Sequence, residues 1–137
     1  MNIAVARFDN ETGSAEMDRF ADGLTDAVEA ELTADAGTRY GIIGNAAILR
    51  RPRSQRDLMA IGSSLRAKYV VLGQVQRSSA HLRVLAHLIR LPEQTHLWVV
   101  RLDRDTADPL ETESKIARTI ADEFSRRLRA SSPSVFH

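Results

Sequence analysis

A compact basic group lies between positions 50 and 56 of the sequence. Arg50, Arg51, Arg53 and Arg56 surround Pro52 and adjoin a predicted helix start, so their guanidinium groups could hold phosphate or an acidic protein partner. A solvated basic loop without a ligand is the alternative interpretation. Nucleic acid is a weaker candidate, because the formal net charge is only +1 and aromatic residues make up 5% of the chain.

A second candidate site lies near the amino terminus, after a short apolar run. Asp9, Asn10, Asp22 and Thr25 would stand near the carboxyl end of a first strand, where α/β folds bind ligands. The structural alternative is that Gly23 lets the following helix approach the sheet closely. Asp22 and Thr25 would then hydrogen-bond nearby backbone groups. The sequence favours this structural interpretation and leaves the ligand pocket as a hypothesis.

No combination of residues predicts catalysis, a cofactor or a metal. The carboxylates near the amino terminus could converge on Mg²⁺, but four-residue steps along a helix are more typical of a solvated face. The strand histidines lack the spacing of a zinc site, and neither a phosphate-binding glycine motif nor a nucleophile elbow is present. The residues considered for metal were Asp9, Glu11, Asp18, Asp22, Asp26, His81, His87 and His96.

Composition predicts one soluble domain. The 137 residues are 43% hydrophobic and 27% charged, without cysteine. No apolar run reaches the roughly 20 residues of a membrane span, and no secretory signal is recognisable. We expect a cytoplasmic protein if the chain is complete, whereas a chain excised from a membrane-anchored parent would leave the compartment open. The domain is predicted at 1–130, with a disordered tail at 131–137.

Hydrophobic periodicity predicts an α/β fold in the order β-α-β-α-β-β-β-α. Ser54 and Asp57 resemble an N-cap with an acidic third position, and Asp108 precedes a proline at the first position of the last helix. Two crossovers make the first three strands parallel, and short hairpins make the later strands antiparallel. Strand runs that are apolar on both faces favour helices on both sides. The prediction is a mixed five-stranded sheet in a single three-layer domain.

The sequence resembles the TolB-like N-terminal domain, an α/β domain with anticodon-binding-like topology. The similarity covers roughly residues 3 to 121. It is greatest to the branch found beside adenylate/guanylate cyclase, winged-helix regulator or tetratricopeptide segments in bacteria. Arg7 stands where this family usually has proline. The matching pieces include Ile3-Ala4-Val5, Phe8-Asp9-Asn10, Phe20-Ala21-Asp22-Gly23-Leu24-Thr25 and Tyr69-Val70-Val71-Leu72-Gly73-Gln74-Val75.

The resemblance implies a regulatory or scaffolding module, since the family has no established catalytic residues. We therefore predict a non-catalytic protein-interaction domain accessory to a bacterial adenylate cyclase or transcriptional regulator. Its expected contact surfaces are the arginine-rich loop and the exposed edge of the antiparallel strands, where a partner or a second copy could bind. The alternatives are a small-molecule or nucleotide sensor and a nucleic-acid binder.

Overall fold

A computed structural model describes residues 1–105 and 109–131, without the side chains of residues 109–111 and 131. The strands are β1 (Asn2–Val5), β2 (Asp9–Asn10), β3 (Gly41–Ile43), β4 (Ala67–Ser78), β5 (His81–Arg90) and β6 (Thr95–Asp105). The helices are α1 (Asp18–Ala36), α2 (Leu58–Leu65) and α3 (Pro109–Ser131). The predicted cap at Asp108 and residues 132–137 of the predicted tail lie outside the described residues, whereas Ser131, predicted as the start of the tail, ends α3.

The sheet is mixed and contains six strands in the described residues, one more than predicted. Its order is β3-β1-β4-β5-β6, and β2 pairs with β4 beyond the end of β1. Strands β1, β3 and β4 are mutually parallel, whereas β4, β5 and β6 form an antiparallel meander, as predicted. The extra strand is β2, a two-residue strand that was not among the predicted elements. Asp9 and Asn10 pair in parallel with Gln74 and Val75.

Two hydrophobic cores separate three layers, which confirms the predicted architecture. The larger core joins the apolar stripes of α1 and α3 to one face of the sheet, with Leu24 and Phe124 fully buried. The smaller core lies on the opposite face, where α2 and the segment before it cover β1 and β4 through Ile61 and Leu49. No helix of the described residues is both long and apolar enough to cross a membrane.

Two local predictions were wrong. Asp57, not Ser54, caps α2, because the carboxylate of Asp57 accepts the backbone N–H of Ala60 (3.1 Å). Ser54 lies in a preceding 3₁₀ helix, Arg53–Gln55. The second prediction placed the sheet next to Gly23. The nearest neighbour is instead α3, because a β-carbon at Gly23 would first meet the carboxylate of Glu113. The close approach to the sheet occurs instead at Gly73, where a β-carbon would overlap the ring of Phe8.

Candidate functional site

The arginine loop, residues 50–56, is anchored to the sheet at both ends. Before it, Leu49 is fully buried in the smaller core, and its carbonyl oxygen accepts the backbone N–H of Arg7 (2.9 Å). Two short 3₁₀ helices, Ala47–Arg50 and Arg53–Gln55, form much of this segment. The loop therefore has a defined conformation beside the carboxyl end of β1.

Arg56 forms the second anchor. Its guanidinium binds the carboxylate of Asp9 in a bidentate pair, with Nη1–Oδ2 and Nη2–Oδ1 distances of 3.0 and 3.1 Å. Nη2 also lies 3.4 Å from the carbonyl oxygens of Arg7 and Arg51. The side chains of Arg56 and Asp9 are only 5% and 15% exposed. Both residues, which the sequence analysis proposed for binding, are thus engaged in holding the loop against β2.

The other three arginines of the loop face solvent. Arg53 donates to Glu11 (3.1 Å) across the surface, with 68% of its side chain exposed. Arg51 has no ion pair within the described part of the chain and is exposed. Arg50 lies near Glu29. Burial first, and then the charge of Asp26, raise the pKa of the Glu29 carboxyl, and the positive charge of Arg50 partly offsets this rise. These three guanidinium groups remain accessible to a partner.

Arg7, between β1 and β2, pairs with Asp22 of α1 in the same region. Arg7 Nε donates to Asp22 Oδ1 at 2.6 Å, and this hydrogen bond raises the pKa of the guanidinium. Asp22 therefore binds a side chain rather than the nearby backbone groups that the sequence analysis expected. Thr25 behaves closer to expectation: its hydroxyl donates to the Ala21 carbonyl (2.8 Å) and accepts the backbone N–H of Phe8 (2.9 Å).

Asn10 holds the turn that follows β2. Its side-chain amide donates to the Ser14 carbonyl and to Asp18, both at 2.8 Å. Its Oδ1 accepts the backbone N–H of Thr12 at 3.0 Å. With its donors and its acceptor used in this way, Asn10 serves the conformation of the turn.

An open pocket of about 450 Å³ is lined by two residues of each predicted site, Arg51 and Arg53 of the first and Asp9 and Asn10 of the second. It lies where β1 ends and β2 begins, with the start of α1 on one side and the arginine loop on the other. Three arginines and three carboxylates contribute to its wall, so its charge is balanced. The charged and polar residues lining it are Arg7, Asp9, Asn10, Glu11, Asp18, Arg51, Arg53 and Ser54. Thr25 and Arg50 instead border a small neighbouring crevice.

Three of the five carboxylates considered for metal binding are paired with arginines. Asp9 pairs with Arg56, Asp22 with Arg7, and Glu11 with Arg53, while Glu11 also accepts from Gln76 (3.0 Å). The described residues contain no cluster of three or more potential metal ligands.

The histidines of the meander form a separate, small arrangement on the sheet face opposite α1 and α3. His87 Nε2 lies 2.9 Å from Gln74 Oε1, and its ring meets that of His96 edge-on at 5.6 Å. Burial first, then the charges of His96 and Arg53, lower the pKa of His87. His81 lies apart from them, 3.0 Å from Asp105.

Sequence reasoning missed the contacts of Trp98, the single tryptophan. Its Nε1 donates to Glu123 (3.2 Å), and the guanidinium of Arg127 lies 3.6 Å from the ring centroid. Glu123 and Arg127 are four residues apart on α3 and so share one helix face, which is the signal that could have suggested this pairing. The contacts fix α3 over β6.

Comparison with known sequences gives one informative relative. No family model matches the chain. The chain is 30% identical over 129 residues to "Putative adenylate cyclase 3" of Rhizobium meliloti (strain 1021), covering 94% of this chain and 22% of that protein. The chain thus spans about a fifth of the length of this relative.

Comparison with solved structures identifies the fold. TolB from Acinetobacter baumannii superposes with a TM-score of 0.66 at 18% identity, covering 93% of this chain and 28% of TolB. A PelC dodecamer from Paraburkholderia phytofirmans gives 0.59 at 14% identity, covering 87% of this chain and 84% of that chain. These similarities confirm the resemblance predicted from sequence at the level of the fold.

Proposed function

Because the chain has a TolB-like fold, we propose that it is a non-catalytic protein-interaction domain serving a longer bacterial signalling protein. The similarity to a cyclase-named protein of greater length supports the signalling context. The description of PelC as a dodecamer supports the use of this fold in protein contacts. The compartment, cytoplasmic if the chain is complete, stays a prediction.

The observation that carries the proposal is the division of the arginine loop into an anchored and an exposed side. Arg56 and Leu49 fix the backbone, so the loop loses little conformational entropy when a partner binds. Arg50, Arg51 and Arg53 project from that fixed backbone into solvent. Planar guanidinium groups on a preformed support suit bidentate pairing with carboxylates. We infer that an acidic segment of a partner protein binds here.

An acidic protein segment fits this surface better than nucleic acid does. The balanced charge of the neighbouring pocket and the whole-chain charge of +1 provide no extended positive field for a phosphate backbone. Trp98 is covered by Arg127 and is unavailable for stacking on a base. The three exposed arginines of the loop lie beside the three carboxylates of the pocket. This mixed surface instead favours a partner whose few acidic groups are spaced to meet the arginines.

Charge reversal on the exposed side tests the proposal. We expect Arg51→Glu with Arg53→Glu to weaken binding of a short poly-glutamate peptide roughly tenfold or more, while unfolding free energy changes by less than about 1 kcal/mol. The matched control is Lys68→Glu with Arg77→Glu, which makes the same change of charge at exposed positions of β4. Calorimetric titration and thermal unfolding of both variants give the two readouts.

Three outcomes would count against the proposal. Unfolding of the Arg51/Arg53 variant would make these residues structural. Equal weakening in the Lys68/Arg77 control would show that binding depends on the charge of the whole chain and not on the loop. Tighter, salt-dependent binding of duplex DNA than of the peptide would favour the nucleic-acid alternative.

The pocket itself favours a second candidate, a small-molecule or nucleotide sensor. Its volume of about 450 Å³ falls in the range of ligand sites, and it lies at the carboxyl end of β1. Thermal-shift measurements with nucleotides and divalent metals test this candidate, because a ligand that binds only the folded state raises its melting temperature. Unchanged melting across the set would remove it.

A further inference from the structure

Strand β6 is the long open edge of the sheet. It runs from Thr95 to Asp105 and pairs only with β5 among the described residues, whereas the opposite edge is the three-residue strand β3. A long edge strand presents a row of backbone donors and acceptors that another strand can use. The described part of β6 contains no proline to block such pairing.

The second half of β6 separates apolar and charged side chains onto opposite faces. Val100 is buried in the larger core, and Leu102 packs against that core. Successive side chains alternate across a strand, so Arg101 and Asp103 lie on the face away from α1 and α3. Their side chains are 57% and 50% exposed, and their charged groups are 3.6 Å apart. Opposite charges two residues apart provide a self-complementary pattern.

We propose that two copies of this chain associate through β6, antiparallel about a two-fold axis at Leu102. In this arrangement Leu102 faces Leu102 of the second copy. Arg101 of each copy then stands opposite Asp103 of the other, so two cross-strand ion pairs form. Residues directly opposite one another share a face, and both helical layers therefore lie on the same side of a continuous sheet.

Neighbouring registers are less favourable. An axis at Val100 would set Arg101 against Val99, and Asp103 against Leu97, so neither charge would meet its opposite. An axis at Asp103 would pair Arg101 with Asp105 but would shorten the overlap to residues 101–105. The axis at Leu102 retains an overlap from Val99 to Asp105 and satisfies both charges. Among registers that keep both helical layers on one side of the sheet, the axis at Leu102 is the one that pairs Arg101 with Asp103.

This association uses a different surface from the arginine loop and does not depend on the function proposed above. If dimerisation fails, binding of the acidic peptide by Arg51 and Arg53 is unaffected. If the peptide fails to bind, the sedimentation of the dimer is unaffected. The Arg51→Glu, Arg53→Glu variant should dimerise like the wild type, which keeps the two proposals separately testable.

Complementary charge reversals test the register by sedimentation over a concentration series. Arg101→Asp alone places Asp against Asp, and Asp103→Arg alone places Arg against Arg, so each should raise the dissociation constant of the dimer about tenfold or more. Mixing the two variants should restore association, because both cross-strand pairs of the mixed dimer are then Asp–Arg. Since Asp103 also accepts from Arg83 (2.9 Å) within one chain, thermal unfolding checks that each variant is folded.

A wild type that stays monomeric up to about 1 mM would overturn the association. Single reversals without effect, or a mixture that does not recover, would overturn the register.

Disulfide trapping provides an independent readout, since the chain has no cysteine of its own. Arg101→Cys mixed with Asp103→Cys should give a cross-linked heterodimer on mild oxidation, because opposite Cβ atoms in an antiparallel pair are about 4.5–5.5 Å apart. Either variant alone should cross-link much less, since residue 101 faces 103 and not itself. Equal cross-linking of the separate variants would contradict an axis at Leu102.

Discussion

Arg53 and Arg56 lie three positions apart on one loop, yet their side chains are 68% and 5% exposed. Both bind a carboxylate at about the same distance, 3.1 and 3.0 Å. The difference lies in the surroundings, because water solvates the Arg53–Glu11 pair and the protein encloses the Arg56–Asp9 pair. An exposed pair contributes little to stability, whereas breaking an enclosed pair leaves an uncompensated charge. The same residue type therefore anchors the loop at one position and remains available at the other.

Truncation of the two arginines is the strongest test of this contrast. Arg56→Ala should lower the free energy of unfolding by about 3 kcal/mol, because Asp9 and the backbone carbonyls around it lose their donor. Arg53→Ala, as the matched control, should change it by less than about 0.5 kcal/mol. Urea unfolding of both variants measures the difference. Similar losses for the two would refute the division of the loop into an anchored and an exposed side.

The anchored side also depends on Phe8, which lies between Arg7 and Asp9 and fills the space above Gly73. Gly73→Ala should cost roughly 2 kcal/mol, because its new methyl group overlaps an aromatic ring that is fully buried. Gly23→Ala is the control, since the nearest atoms to its methyl group belong to the movable carboxylate of Glu113. That change should stay within about 1 kcal/mol. Thermal unfolding compares them, and equal costs would mean that Phe8 can rearrange freely.

The smallest expected effect is the dependence of stability on pH through His87, whose pKa responds to Arg53 on the exposed side of the loop. Burial, followed by His96 and Arg53, lowers the pKa of His87 below its ordinary value. The folded state then binds fewer protons than the unfolded state between the two pKa values, so stability falls as the pH drops from neutrality through this window. The unfolding free energy of His87→Gln should fall less over the same range. Parallel profiles of unfolding free energy against pH for the wild type and the variant would exclude His87 as the source of the pH dependence.

The sequence predicted the layers of the fold because they depend on local patterns. The apolar stripe from Phe20 to Leu32 identifies the buried face of α1, and strand runs that are apolar on both faces indicate helices on both sides of the sheet. Strand β2 was missed because Asp9 and Asn10 carry no apolar signal. Its pairing instead depends on Gln74 and Val75, far along the chain. Side-chain periodicity does not report such backbone pairing.

The sequence was sufficient to name residues of the candidate site but not to show which of them form ion pairs with each other. Arg56 and Asp9 were singled out separately, and their 47-residue separation hides the contact that joins them. The same holds for Arg7, which stands where the resembled family usually has proline and which binds Asp22 across 15 residues. Exposure also depends on tertiary structure, so the sequence could not distinguish Arg56 from Arg51 and Arg53.

The most direct test of the central claim is a map of backbone amide chemical shifts during titration with the poly-glutamate peptide. A preformed arginine loop predicts concentration-dependent shifts at residues 50–55 and small changes along β6 and around Lys68 and Arg77. Shifts centred on β6, or spread evenly over every exposed cation, would contradict the assignment of the loop as the contact surface.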